Sequence, residues 1–144
     1  MSNLKRYIAV DLGAESGRVM LGTVSGEKLV LEEMHRFANV PVEAGKVIRW
    51  DFKLLLSEAK KGIRKAAKYA EQEIAGIGID SWGAGMGLID QQGRLIENPY
   101  HYRISTTEMI EKAFEFMPKR EIYENTGLQF MPFNDIYRLL EMRL

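Results

Sequence analysis

Apolar and polar positions change their period several times along the chain, and each change predicts an element. Residues 6–11 (RYIAVD) are rich in β-forming side chains and end on Asp11, which predicts a buried strand. Residues 17–24 (GRVMLGTV) and 28–37 (KLVLEEMHRF) predict two further strands, joined by an SGEK turn of hairpin composition. The segment ANVPVEAGKVIRW reads as a loop with a short strand at its end. Asp51 then stands where a helix N-cap is expected. Phe52, Leu55, Leu56, Ala59, Ile63, Ala66, Ala67 and Ala70 recur at helical spacing and predict one core-facing side.

The run IAGIGIDSWGAG predicts a fully buried strand over residues 74–80 that ends in a glycine-rich loop. GMGLID and GRLIEN flank a QQG turn and predict another hairpin. From Ser105 onward the pattern is helical, with breaks at Pro118, Gly127 and Pro132. A three-strand meander followed by a helical crossover places the strand at 74–80 parallel to the first and beside it. Asp11 and Asp80 then lie at the carboxyl ends of neighbouring strands, where ligands collect in open α/β sheets.

Composition narrows the class. The 144 residues are 46% hydrophobic and 28% charged, the profile of one soluble globular domain with enough chain to bury a core. Twenty basic and twenty acidic residues cancel, so bulk charge favours neither nucleic acid nor a membrane surface. Lys60, Lys61, Arg64, Lys65 and Lys68 share the long helix. They read as its solvated face, the alternative being a nucleic-acid stripe. Absence of cysteine excludes disulfides and thiolate metal sites and suits a reducing compartment. The opening MSNLKRYIAV is too short an apolar run for a signal peptide, so a cytoplasmic location is expected.

The chemistry concentrates in IAVDLGAESGRVML. A tight turn carrying Gly13, Ser16 and Gly17 can aim backbone N–H groups at one point and form an anion nest, with Ser16 and Arg18 as further donors. Asp11 alone would repel a phosphate, but it fits a site in which Mg²⁺ lies between carboxylate and phosphate. The competing reading is an ordinary hairpin with an Asp at its mouth. GIGIDSWGAG lacks the third glycine and the following helix that a dinucleotide site needs. Asp11, Glu58 and Asp80 also suggest the carboxylate set of a ribonuclease-H-like, metal-dependent nuclease. His35 and His101 read as surface histidines, and Trp82 as a packed aromatic beside the loop. Phe130, Met131 and Phe133 read as core or as surface that a further lobe covers.

In order and spacing, AVDLGAESGRVML, HRFANVPV, the Trp50–Asp51 pair, GIDSWG, LIDQQG, YR and GLQFMPFN resemble the amino-terminal portion of FGGY carbohydrate kinases, the rhamnulokinase branch in particular. These belong to the actin/hexokinase/Hsp70 ATPase superfamily. The resemblance covers essentially the whole chain. It implies an α/β, ribonuclease-H-like domain with a mixed sheet (a three-strand meander, a crossover helix and a parallel strand) and a helical C-terminal part. It also implies ATP-dependent phosphorylation of L-rhamnulose or a related ketose. By resemblance, Ala14, Glu15, Ser16, Gly17 and Arg18 contact the ATP phosphates, and Asp11 lies near the Mg²⁺, directly or through water. Gly83 lines the sugar site, with Trp82, Arg103 and Phe130 as further substrate contacts.

The family's catalytic base and adenosine-binding lobe lie beyond the matched region. The expectation is therefore a single domain over residues 1–144: the first, sugar-side lobe, without a catalytic residue of its own and inactive in isolation. Its surface is then open to self-association where the second lobe would sit. No nucleic-acid or membrane partner is expected. Two positions depart from the family pattern: Gly85 stands where W-G-V-D has its carboxylate, and Ile104 where Y-R-D has its own. The alternative to a kinase lobe is a non-catalytic, stand-alone or engineered domain that keeps only the fold.

Overall fold

The first apolar run forms β1 (Lys5–Leu12), and the next two form β2 (Ser16–Ser25) and β3 (Lys28–Ala38). The computed structural model describes residues 4–44, 47–71 and 73–144. Residues 1–3, which open the stretch read for a leader, and residues 45 and 46 of the expected loop lie outside the described residues, as does residue 72. Two compact units emerge, one of residues 1–41 and 50–83, the other of residues 42–49 and 84–144.

In the first unit β1 and β2 pair antiparallel, as do β2 and β3, giving the expected meander. The long helix α1 (Phe52–Ala70) follows, and β6 (Ile74–Ser81) then runs parallel to β1 in a sheet of order β3-β2-β1-β6. Strand alternation sends Ile8, Val10, Val19, Leu21 and Met34 to one face, where Ala59, Ala66 and Ala70 of α1 cover them. The Asp51 carboxylate accepts from the Leu54 N–H at 3.0 Å and caps α1 as predicted.

Two expectations need correction here. Phe52, Leu56 and Ala67 are exposed, and the buried row of α1 is instead Leu55, Ala59, Gly62, Ala66 and Ala70. The sheet touches a single narrow stripe, and Gly62, lacking a side chain, gave no apolar signal. Nor is β6 buried: Ile77 is 55% and Ile79 68% exposed. Its unbroken apolar run is the signature of a strand covered on both faces, yet β6 is an edge of the sheet and no layer covers it among the described residues.

In the second unit the expected loop holds a small two-stranded sheet, β4 (Val42–Ala44) with β5 (Val47–Arg49). The predicted hairpin around QQG forms only an isolated bridge, Ile89 to Leu95, closed by the Asp90 carboxylate accepting from the Gln92 and Arg94 N–H groups. Three helices follow: α2 (Thr107–Phe116), α3 (Lys119–Thr126) and α4 (Asp135–Arg143). Their breaks fall at Pro118, at Gly127 in the left-handed region (φ 65°), and across the segment that contains Pro132. The Tyr100 ring lies between two guanidinium groups, Arg49 at 3.9 Å and the buried Arg138 at 4.3 Å. Arg49 is anchored by Glu97 at 2.9 Å, and Arg138 donates to the Ile104 carbonyl at 2.8 Å.

The surface reading fails for His101, which is only 4% exposed, whereas His35 stays partly exposed and is held by Glu58 at 2.6 Å. The His101 Nδ1 accepts from the Arg103 N–H at 3.1 Å, and burial, then the Arg103 charge, push its pKa below the ordinary 6.5. The sign of the linkage follows. Below pH 6.5 the unfolded chain takes a proton that the folded chain refuses, so stability falls as pH drops. The slope contributed by this group is at most about 1.4 kcal/mol per pH unit. Thermal unfolding at pH 7.5 and 5.5 measures it, and His101→Asn is expected to flatten the dependence; an unchanged slope would assign it to other groups.

Candidate functional site

β1 and β2 bring the opening motif together at one end of the sheet. Asp11 lies directly opposite Arg18 in the antiparallel pair and directly beside Asp80 in the parallel one. Residues in register on neighbouring strands share a face, and strands run about 4.8 Å apart. The two carboxylates therefore stand side by side on the face opposite the α1-covered core, since Val10 and Leu12 flank Asp11 on the other side of the alternation. Arg18 Nε donates to Asp11 Oδ2 at 2.7 Å, and a second guanidinium nitrogen lies at the same distance from that oxygen. Asp11 Oδ1 is left without a hydrogen bond among the described residues.

This pair is open to water, with side-chain exposures of 48% and 37%, so it is worth about 0–1 kcal/mol and exchanges readily. Its value lies in placement. Positive charge at the hairpin mouth offsets the repulsion that Asp11 alone would exert on an anion.

Between the strands the turn is tight. Gly13 N–H donates to the Ser16 carbonyl at 3.0 Å, and a Cβ on Gly13 would come within 2.9 Å of that same oxygen. Gly17 is covered by the Phe37 ring, whose nearest atom would be 2.3 Å from an added Cβ. Ala14 and Glu15 form the exposed tip, and their N–H groups donate to no acceptor among the described residues. Asn39, which the residue pattern did not single out, holds the turn from behind. Its N–H donates to the Glu15 carbonyl and its Nδ2 to the Gly13 carbonyl, both at 2.9 Å.

The remaining predicted site residues distribute between the two units. In the first, Trp82 stacks on the buried Trp50 with ring centroids 4.2 Å apart, and Gly83 follows it in an exposed loop with open space where a Cβ would be. In the second, Arg103 is exposed, and Phe130 packs edge-on against Phe114 at 5.1 Å. Gly85 and Ile104, the two departing positions, line one pocket of that unit together with Tyr100, His101, Asp135 and Arg138.

The carboxylate trio suggested for a nuclease is not assembled. Glu58 is engaged by His35 and Lys61, each at 2.6 Å, on the α1 side of the sheet, and these contacts lower its pKa, Lys61 first. Among the described residues no three His, Cys, Asp or Glu side chains form a group able to hold a metal ion. Asp11 with Asp80 still suits Mg²⁺, which is commonly bound by one or two carboxylates and completes its shell with water and phosphate.

A meander, a crossover helix and a parallel strand make a ribonuclease-H-like α/β fold, the fold also seen in actin-like ATPases. Residues 6–142 match the N-terminal domain of the FGGY family of carbohydrate kinases, and the chain belongs to that family. It is 40% identical over 137 residues to a rhamnulokinase of Lactiplantibacillus plantarum, covering 94% of this chain and 28% of the relative. It is 42% identical over 139 residues to a rhamnulokinase of an Enterobacter species, again covering 94% and 28%. The chain thus spans little more than a quarter of the length of these curated relatives. Among solved structures it superposes on gluconate kinase from Lactobacillus acidophilus with a TM-score of 0.81 at 20% identity, covering 98% of this chain and 28% of that one. Plasmodium falciparum glycerol kinase with ADP gives 0.70 at 16% identity, covering 96% and 28%. Likeness at that identity speaks for the fold alone. No described helix is long and apolar enough to cross a membrane.

Proposed function

We propose that this domain supplies the phosphate-and-metal end of an ATP-dependent sugar kinase, and that the sugar is L-rhamnulose or a closely related ketose. The observation that carries the first part is the register of Asp11 with both Arg18 and Asp80 at the mouth of the Gly13–Ser16 turn. Identity of 38–42% to rhamnulokinases supports the second.

In this reading Ala14, Glu15 and Ser16 meet the phosphates with backbone N–H groups and the Ser16 hydroxyl, and Gly17 keeps the strand low enough for their approach. Arg18 balances the charge. Asp11 and Asp80 would hold Mg²⁺, itself or through its waters, and the ion when bound screens the phosphate charge during in-line transfer. Gly83, Trp82, Arg103 and Phe130 are proposed to contact the sugar. Gly85 and Ile104 can accept no hydroxyl proton through their side chains, so the acceptor's hydrogen bonds fall to other groups.

Titration with Mg²⁺-ATP under NMR observation tests the phosphate site. Shifts are expected at residues 11–18 at millimolar ligand and should be lost in Asp11→Ala. Absence of shifts there in the unaltered chain would sink the reading.

A further inference from the structure

We infer that Asn39 is the positioning residue of the phosphate-binding turn, a role that rests on the nucleotide reading above. Asn39 lies at the end of β3, is only 4% exposed, and makes two hydrogen bonds to the turn: N–H to the Glu15 carbonyl and Nδ2 to the Gly13 carbonyl, each at 2.9 Å.

Those bonds fix more than two carbonyls. In a planar trans peptide the C=O and the following N–H point in opposite directions. Holding the Gly13 carbonyl therefore turns the Ala14 N–H away from Asn39, and holding the Glu15 carbonyl does the same to the Ser16 N–H. Two donors are aimed together at the open side of the turn, and Asn39 sets both peptide planes. An anion needs convergent N–H groups that stay in place without it, because ordering them on binding costs affinity.

Asn39→Leu isolates the effect. It keeps the approximate size and the backbone N–H to Glu15 but removes the Nδ2 donor to the Gly13 carbonyl without adding a charge beside the anion site. In the ligand-free 144-residue chain, amide hydrogen exchange at Gly13, whose N–H donates to the Ser16 carbonyl across the turn, should speed up while the rest of the β1–β2 ladder is unchanged. Mg²⁺-ATP affinity should fall by about fivefold to tenfold, the worth of roughly one hydrogen bond, with the melting temperature nearly constant. Asn39→Ser, which keeps a shorter donor, should recover part of the affinity. Equal affinity in Asn39→Leu and the unaltered chain would overturn the role of Asn39 alone. A melting temperature lowered in both variants enough to explain the lost binding would make Asn39 a structural residue and overturn it too. Failure of the unaltered chain to shift at residues 11–18 would instead remove the nucleotide reading and this inference with it, even with the exchange result as expected.

Discussion

A polypeptide of these 144 residues, assayed with L-rhamnulose, ATP and Mg²⁺, is expected to turn over no faster than its Asp11→Ala variant. Phosphoryl transfer needs a positioned acceptor hydroxyl, a group to take its proton and a clamped nucleotide. The strand-end carboxylates of the first unit, Asp11 and Asp80, stand beside the Gly13–Ser16 turn, and Arg18 already occupies one oxygen of Asp11. They suit the metal end of the reaction. At the positions where the family pattern places carboxylates near the sugar, this chain has Gly85 and Ile104, both lining a pocket of the second unit. General-base assistance is worth about 10²–10⁴-fold, and the positioning given by closure around both substrates is worth up to about 10⁵–10⁸ M in effective concentration. Loss of both leaves no measurable rate. Turnover above the Asp11→Ala control would mean that the chain carries a base of its own, with Asp80 the first to replace.

The topology was readable because it follows from periods and connection rules. Three β-rich segments, a capped amphipathic helix and a fourth apolar run allow few arrangements, and the right-handed crossover puts the last strand beside the first. The same rule places Asp11 next to Asp80, as the register of the two strands has them. What was not readable depends on distance in space. β6 looks buried because its sequence is apolar, but apolarity reports what a strand can tolerate, and its cover depends on other segments. His101 looked like a surface residue because a lone histidine carries no pattern; only the fold shows its Nδ1 satisfied by the Arg103 N–H in a buried place.

Asn39 illustrates the same limit within the site. Its two partners, Gly13 and Glu15, lie 26 and 24 residues earlier in the chain, and nothing local marks it. A signal was nonetheless present: an Asn just beyond a long strand whose register returns it to the first hairpin. Reading it requires the β2–β3 pairing, in which Ser16 lies opposite Ala38. The glycines divide similarly. Gly13 announces a turn by its neighbours, whereas the need for Gly17 comes from the Phe37 ring across the ladder.

Gly62→Leu is expected to destabilise the first unit by about 3 kcal/mol, the upper end of the usual cost of overpacking. Helix propensity alone argues the reverse, since glycine within a helix costs about 1 kcal/mol relative to alanine. Geometry decides between them. A Cβ on Gly62 would lie 2.3 Å from Val19 Cγ2, 2.7 Å from Val19 Cβ and 3.1 Å from His35 Cβ. Two of these atoms are fixed to the backbone of the sheet, and Val19 is fully buried, so neither can swing aside. An isobutyl group there must lift α1 from β2 and β3, opening the contact made by Ala59 and Ala66 and pulling Glu58 from His35. The melting temperature should fall by roughly 10 °C. Gly62→Ala gives the finer test, because its propensity gain is largest and its added volume smallest; it too should lower stability. A rise with alanine would mean that α1 rolls on the sheet at little cost, and that the close approach at Gly62 does not fix the helix.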